Sequence, residues 1–277
     1  MDNRIAILLS TYNSEKYLCE QIDSILNQSY KEWILYIRDD GSTDETLNII
    51  KEYCSQHSNI VLCKSENKNR GAKNSFFWLL EHVDALYYMF CDHDDVWLPF
   101  KVEITYKKMK IAEQDNFDKS IIVNTDLMVV DNNLQIIHPS MWEAAHLLPD
   151  ILKSSFHYLC ICNFVTGCTM MINQKAKEVS FPVSSKAIFH DSWIALKVLY
   201  TGGIIIPIKE QTILYRQHTQ NVCGVPIYPT NYILDKIKHC ISILKMNKIA
   251  YEMCSSVGKT NIFVYCLYKI KYYFKRR

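Results

Sequence analysis

Three short apolar runs in the first hundred residues each break off into polar, mostly acidic residues. Ile5-Ala6-Ile7-Leu8-Leu9 ends in Ser10-Thr11-Tyr12-Asn13. Trp33-Ile34-Leu35-Tyr36-Ile37 ends in Arg38-Asp39-Asp40-Gly41-Ser42, and Leu86-Tyr87-Tyr88-Met89-Phe90 in Cys91-Asp92-His93-Asp94-Asp95. Continuous apolar character, without alternation, marks strands buried on both faces, the habit of a parallel sheet. Ile60-Val61-Leu62-Cys63 is another such run. Helix-spaced stretches separate the runs. The first carries Tyr17, Leu18, Ile22, Ile25 and Leu26 and is capped by Asn13 or Ser14. The second runs through Ile49 and Ile50, opened by the capping box Ser42-Thr43-Asp44-Glu45. A third covers residues 76–81, and a fourth starts at Pro99, where proline suits a first turn.

Strand and helix in alternation predict an α/β chain with a single Rossmann-like, mostly parallel sheet and helices on both faces. Ligands of such sheets bind beyond the carboxyl ends of the strands. The three polar clusters are therefore predicted to converge on one crevice. Asp92, Asp94 and Asp95 stand too close together to be buried without a partner, so a cation is expected among them. A Gly-x-Gly-x-x-Gly run is missing after the first strand, which argues against a dinucleotide site.

The second half is less regular. Residues 121–124 read as a strand. Asp131-Asn132-Asn133 reads as a hairpin turn between residues 127–130 and 134–137. Residues 164–172 read as a strand broken by Gly167, 191–200 as a helix, and 204–206 as a strand. The predicted division is a domain over residues 1–230 and a basic amphipathic helical tail over 231–277. The whole chain carries +2, but residues 231–277 hold ten Lys or Arg against two Asp or Glu, so +8, which leaves 2 − 8 = −6 for the rest. Helix-spaced Ile233, Ile237, Ile241 and Leu244, then Ile262, Phe263, Cys266, Leu267 and Ile270, run among those cations. The tail either lies on an anionic membrane surface or packs on the domain as a helical pair with a solvated charged face. With 49% hydrophobic and 22% charged residues, general disorder is excluded. Eleven cysteines without a Cys-x-x-Cys pair suit a reducing compartment. No signal-peptide core and no spanning run of about 18 apolar residues stand in the sequence. A cytoplasmic protein is expected, peripheral on the inner face of the membrane, with no nucleic-acid partner.

Taken together and in this order, Ser10-Thr11-Tyr12-Asn13, Asp39-Asp40-Gly41-Ser42-Thr43-Asp44 and Asp92-His93-Asp94-Asp95 resemble family 2 glycosyltransferases, whose fold is the GT-A type. Phe189-His190-Asp191-Ser192-Trp193 and Leu214-Tyr215-Arg216-Gln217-His218 extend the resemblance over residues 4–224. The acidic loop and the Tyr-Arg-Gln-His run are most similar to the bacterial rhamnosyltransferases of polysaccharide and O-antigen synthesis. The resemblance implies an inverting, metal-dependent transfer. The donor would be dTDP-rhamnose or a UDP-sugar, and the acceptor a glycan or an undecaprenyl-diphosphate-linked saccharide.

It also implies roles. Asp94 would bind Mg2+ or Mn2+ directly, with Asp92 on the donor ribose or a metal-bound water. His218 would be a third ligand or else a structural loop histidine. Asp39 and Asp40 would accept hydrogen bonds from the pyrimidine imide and the ribose. Thr11 and Tyr12 would line the base pocket, and Asn13 would contribute there if it does not cap the helix. Asn67-Lys68-Asn69-Arg70-Gly71 matches the loop near the nucleotide, so Arg70 or Lys73 would reach phosphate or else stay solvated. Asp191 would be the general base, or simply a helix-terminus acid; the family's usual acid pair is replaced here by His190-Asp191. His190 and Trp193 would shape the acceptor pocket, unless Trp193 is a core aromatic. His93 is expected to be a bystander, Asp44 a helix-terminus acid, and Asp95 a helix cap or an orienter of Asp94. Gly167 would admit a close backbone approach or mark a bulge. Competing readings are a sugar-nucleotide nucleotidyltransferase, a phosphoacceptor signalling domain and a catalytically inactive sugar-nucleotide-binding homologue. The first of these would want a glycine-rich basic loop after the first strand, which Ser10–Asn13 does not provide.

Overall fold

The computed structural model describes residues 4–64, 69–218, 240–258 and 260–276. Nine strands form one sheet: β1 (Ile5–Thr11), β2 (Trp33–Asp39), β3 (Ile60–Leu62), β4 (Tyr87–Cys91), β5 (Val96–Trp97), β6 (Ile121–Val130), β7 (Ile136–His138), β8 (Met170–Asn173) and β9 (Ile204–Arg216). The helices in chain order are α1 (Leu18–Leu26), α2 (Thr46–Gln56), α3 (Ala72–His82), α4 (Lys101–Asp115), α5 (Met141–Ala144), α6 (Pro149–Leu152), α7 (Phe156–Ile161), α8 (Gln174–Ser180), α9 (His190–Tyr200), α10 (Cys240–Val257) and α11 (Ile262–Lys275).

The strand order is β3-β2-β1-β4-β8-β6-β9-β5, with β7 attached to β6. β1 runs parallel to both β2 and β4, β2 parallel to β3, and β6 parallel to β9 along most of its length. β8 is the antiparallel wedge between β4 and β6, and β5 and β7 add short antiparallel edges. All seven residues of β1 are buried, as a strand covered on both faces requires. Its side chains alternate. Ile5, Ile7 and Leu9 join the core under α1 and α4, with Ile22, Val102 and Met109. Ala6 and Leu8 join the opposite core under α3 and α9, with Phe76, Leu80 and Ile194. The expected helices on both faces are present.

Register places the chemistry. Thr11 pairs with Asp39 at the carboxyl end of the β1–β2 ladder, and Leu9 pairs with Cys91 immediately before Asp92. The three polar strand ends therefore open on the same side of the sheet.

Several expectations are corrected. The capping box does not form: α2 starts at Thr46, and the Ser42 hydroxyl bonds to Asp39 and to the Asn13 amide instead. Neither Asn13 nor Ser14 caps α1 with its side chain; the Ser14 carbonyl accepts the first amides of that turn. The helix expected at Pro99 starts at Lys101. Residues 121–124 and 127–130 are one strand, β6, because β9 pairs along nearly all of it. β9 accordingly continues to Arg216, beyond the expected end at 206. The run 164–172 is not one strand. A 3-10 turn spans Gly167–Thr169 before β8, and the Asn163 side chain brackets Val165 ahead of it. The hairpin stands, its turn closed by the Asp131 carboxylate on the amides of Asn133 and Gln135.

Of the two readings of the C-terminal segment, helices α10 and α11 show packing on the domain. Met253, Cys254, Tyr265 and Tyr272 belong to the same core as Trp193 and Phe164. Ile233, Ile237 and the boundary expected at residues 230–231 lie outside the described residues. Among the described residues, no helix is long and apolar enough to cross a membrane.

Candidate active site

The crevice beyond β1 and β2 encloses about 450 Å³ and is lined by Ser10, Thr11, Tyr12, Lys16, Tyr17 and Asp40, together with residues of the 69–72 loop, His93 and His218. Its acids at the end of β2 are occupied by their own chain. Asp39 Oδ1 accepts the Thr11 hydroxyl at 3.0 Å, and its Oδ2 accepts the amides of Gly41 and Ser42 at 3.1 and 2.8 Å. Asp40 is buried against the Arg38 guanidinium at 2.5 Å and accepts the backbone amides of Arg70 and Gly71 at 2.9 and 2.7 Å. Gly71 enters α3 at φ 76°, a left-handed conformation that favours glycine. Arg38 is itself fully buried and also donates to the Ser75 hydroxyl. Sequence reasoning gave Arg38 no part. Its one signal was a cation at the end of an apolar strand, two residues before an acid, which places both side chains on one face.

Asn13 also serves the walls: at φ 47° its carboxamide oxygen accepts the Thr43 amide at 2.9 Å. Tyr12 lies exposed at the rim. Arg70 and Lys73 turn to a neighbouring groove of about 610 Å³ that they share with Trp78, Phe181 and Pro182. The Lys73 ammonium donates to the Ala187 carbonyl at 2.9 Å.

The wall at the end of β4 is different. Asp94 and His218 meet, with Oδ2 and Nε2 at 2.8 Å. His218 also stacks on Tyr17, ring centroids 5.1 Å apart. Asp92, Asp95 and the Cys168 thiol bring donor atoms within 4.8 Å of one another. Burial, then the charges of Asp94 and Asp191, push the Asp92 carboxyl up to about 7. Burial, then Asp94 and Asp92, hold the Asp95 carboxyl well above the usual range. Asp95 neither caps α4 nor bonds to Asp94. Its Oδ1 accepts the Arg216 amide at 3.2 Å, and its Oδ2 is buried without a well-aligned donor, the Cys168 thiol being the neighbouring polar group. Lys101, fully buried nearby, is pulled by that burial down to about 8 and answers the acids only in part. The donors thus fall into two groups: Asp94 with His218, an oxygen and an imidazole nitrogen that suit Mg2+ or Mn2+, and Asp92 with Asp95 and the softer Cys168 thiol. His93 is no bystander in position: it lines the crevice, with its imidazole held below the ordinary value by burial.

Arg216 ties this wall together. Its Nε donates to the Asp94 carbonyl at 2.9 Å, one terminal nitrogen to the Asn132 carbonyl at 2.6 Å, and the other to Glu20. The guanidinium also lies 4.7 Å from the Tyr17 ring. One side chain thus joins the acidic loop, α1, the β6–β7 turn and the end of β9. The Tyr-Arg-Gln-His run marks Arg216 in the sequence but not this role, because Glu20, Asp94 and Asn132 lie far from it in the chain.

Asp191 opens α9. Its Oδ2 accepts the Gly167 amide at 3.0 Å, and its Oδ1 accepts the amide of Ser192. Burial outweighs these bonds and pushes the carboxyl up to about 6. The two expected acceptor-pocket residues are corrected. His190 packs between Phe76 and Phe90, centroids at 4.3 and 5.0 Å, and burial pulls it down to about 3, so it stays neutral. Trp193 is a core aromatic whose indole donates to the Ser180 carbonyl at 2.8 Å. Gly167 admits a close approach, but of His190: a β-carbon on Gly167 would stand 2.5 Å from its Nε2.

Comparison with known proteins gives a consistent result. Residues 6–181 match the family model described as Glycosyl transferase family 2. The dTDP-rhamnosyl transferase RfbG of Shigella flexneri is 37% identical over 231 residues, covering 79% of this chain and 74% of that protein. The Escherichia coli enzyme UDP-Glc:alpha-D-GlcNAc-diphosphoundecaprenol beta-1,3-glucosyltransferase WfgD is 28% identical, covering 73% of this chain and 72% of that one. The putative glycosyltransferase EpsE of Bacillus subtilis is 33% identical over 46% of this chain, which spans only 44% of that protein's length. Among solved structures, S. aureus TarS 1-349 in complex with UDP-GlcNAc aligns at TM-score 0.57 and 18% identity, covering 92% of this chain and 71% of that one. The mannosyltransferase PcManGT from Pyrobaculum calidifontis, in complex with GDP-Man and Mn2+, aligns at TM-score 0.56 and 13% identity, covering 99% of this chain and 81% of that one. At such identities the structural likeness speaks for the fold alone, and that fold is the GT-A type.

Proposed function

The chain belongs to glycosyl transferase family 2, and on that premise we propose that it moves a sugar, with inversion, from a nucleoside-diphosphate donor to a saccharide acceptor. One observation carries the reading: the Asp94 carboxylate at the end of β4 meets the His218 imidazole at 2.8 Å, beside the nucleotide-sized crevice that His218 lines. The relative named dTDP-rhamnosyl transferase supports dTDP-rhamnose as the first donor to try, ahead of a UDP-sugar. The glucosyltransferase relative, whose name specifies a diphosphoundecaprenol acceptor, supports a lipid-linked acceptor and a role in cell-surface polysaccharide synthesis. That acceptor would be met in the cytoplasm at the inner membrane face. We take residues 1–230 as the catalytic unit, with the C-terminal helices packed on it.

Tyr12 stacks on the donor base at the crevice rim and Thr11 lines the pocket. Asp39, Asp40 and Asn13 serve donor binding by fixing its walls, and Arg70 and Lys73 supply positive charge beside it. Asp94, Asp92 and His218 would hold Mg2+ or Mn2+, and the PcManGT complex with Mn2+ supports that choice. Such an ion, when bound, neutralises the diphosphate as it leaves. Asp191 takes the proton of the attacking acceptor hydroxyl. A carboxyl that titrates near 6 is ionised at neutral pH and more basic than an ordinary carboxylate. The amides of Gly167 and Ser192 orient it. The test is nucleoside-diphosphate release in the presence of Mn2+ or Mg2+ and an acceptor saccharide. Release from dTDP-rhamnose supports the full reading. Release from a UDP-sugar alone would overturn the rhamnose assignment, and no release from any nucleotide sugar would overturn the activity.

A further inference from the structure

Helix α11 is packed by one face and bare on the other. Tyr265 and Tyr272, two turns apart, are buried in the core. The Tyr272 hydroxyl accepts the Leu148 amide at 3.1 Å, and Tyr268 meets the rings of Tyr158 and His157 at 4.8 and 5.0 Å. Phe263, Leu267, Ile270 and Phe274, spaced 4, 3 and 4 residues apart, form a second stripe. At about 100° per residue, Phe263 lies some 200° from Tyr265, and Phe274 the same from Tyr272, so the second stripe points away from the domain. All four side chains are exposed, Phe263 by 82% and Phe274 by 68%. Among the described residues, none of the four belongs to either hydrophobic core.

Charge says what kind of surface they suit. Lys271 and Lys275, both exposed, border the stripe one turn apart. On α10, exposed Leu244 and Met246 alternate with exposed Lys245 and Lys248. The Lys269 ammonium bonds to Asn247 and holds the two helices side by side. Within α10 and α11 the one acid is Glu252, already paired with Lys186. The Lys271 and Lys275 ammonium groups lie over the Tyr268 and Tyr158 rings, 5.3 and 5.5 Å from their centroids, and among the described residues no acid pairs with them. Phenylalanine rings beside such lysines match an anionic bilayer surface, where rings enter the acyl boundary and ammonium groups reach lipid phosphates. At 14 residues α11 is about 21 Å long, too short to span a bilayer, so it would lie in the plane. A second copy of the chain is a poorer occupant, since a symmetric pairing would set like-charged rims against each other.

We infer that α11 docks on an anionic membrane through Phe263, Leu267, Ile270 and Phe274, with Lys271 and Lys275 on lipid phosphates. The inference gains its purpose from the lipid-linked acceptor proposed above, but its evidence is separate. The test is co-sedimentation of the full chain with phosphatidylglycerol-containing vesicles and with phosphatidylcholine vesicles. Binding should require phosphatidylglycerol. Phe263→Ser/Phe274→Ser should weaken it at least about tenfold, and Lys271→Gln/Lys275→Gln about thirtyfold, an effect that fades at high salt. Phe117→Ser, at an equally exposed phenylalanine after α4, should bind as the parent does. Equal melting temperatures show that the variants fold. No binding by the parent, or undiminished binding by the phenylalanine pair variant, overturns the inference. So does concentration-dependent self-association that the pair variant abolishes, which would give the face to a second copy. Binding is read without any donor sugar, so failure of the transferase reading would leave this result standing, and the reverse.

Discussion

Two acidic strand ends stand at the same end of the parallel ladder, and they are in opposite physical states. At the end of β2, Asp39 and Asp40 are answered by backbone amides, hydroxyls and the Arg38 guanidinium. At the end of β4, Asp95 keeps an oxygen without a well-aligned donor, and burial with mutual repulsion raises both Asp92 and Asp95. The first pair is architecture, since its charge is already used to shape loops. The second group holds charge in reserve, at a cost that a bound cation would offset. Similar residues at equivalent places in a sheet thus do different work, and the number of donors each receives tells them apart.

Substitutions separate the two groups of acids. Asp191→Asn keeps the shape of the α9 start and removes its basicity. It should lower kcat by about 10²–10⁴-fold while leaving donor affinity unchanged in a titration. In the parent, kcat/KM should fall as pH drops through about 6, because protonation disables the base, and the variant should lack that limb. Asp40→Ala strands the buried Arg38 charge and should cost about 3–5 kcal/mol in urea unfolding, with metal affinity little changed. An unchanged unfolding midpoint would place Asp40 with the reserve acids. Gly167→Ala drives a methyl against His190 and should cost about 1–3 kcal/mol, with a further loss of kcat as Asp191 shifts. Asp92→Asn should have the smallest effect on folding and the opposite sign. A carboxyl raised to about 7 in the folded chain contributes its stability below its unfolded value near 4 and loses it as pH rises through 7. Removing that charge should therefore raise the metal-free melting temperature at pH 8 by about 3 °C. A lower melting temperature would contradict the state assigned to the β4 acids.

Much of this was legible in the chain itself. Unbroken apolar runs ending in acids foretold the parallel half of the sheet and the side on which the strand ends open. His218, far away in sequence, does meet Asp94. Long-range contacts erased other readings. Ser42 follows a helix-start pattern, yet Asp39 and Asn13 claim its hydroxyl, and no local rule weighs a partner across a crevice. His190 and Trp193 flank the proposed base in sequence, which suggests a pocket role, although tertiary packing turns both into the core. Residues 164–172 are buried apart from half-buried Thr166, so periodicity could not tell the turn at Gly167 from the strand after it. The tail's amphipathic spacing was plain, but aromatic residues surround α11, and only its packing shows which stripe is left outward.

In the proposed reaction the acids of β4 hold a cation that in turn holds the donor. The direct measurement is the melting temperature of the parent and of Asp94→Ala with dTDP or UDP, each with and without Mn2+. The parent should be stabilised by nucleotide and Mn2+ together far more than by either alone, and Asp94→Ala should lose that joint effect while melting no lower than the parent when both are metal-free. Equal stabilisation by nucleotide without Mn2+, or an undiminished joint effect in Asp94→Ala, would contradict it.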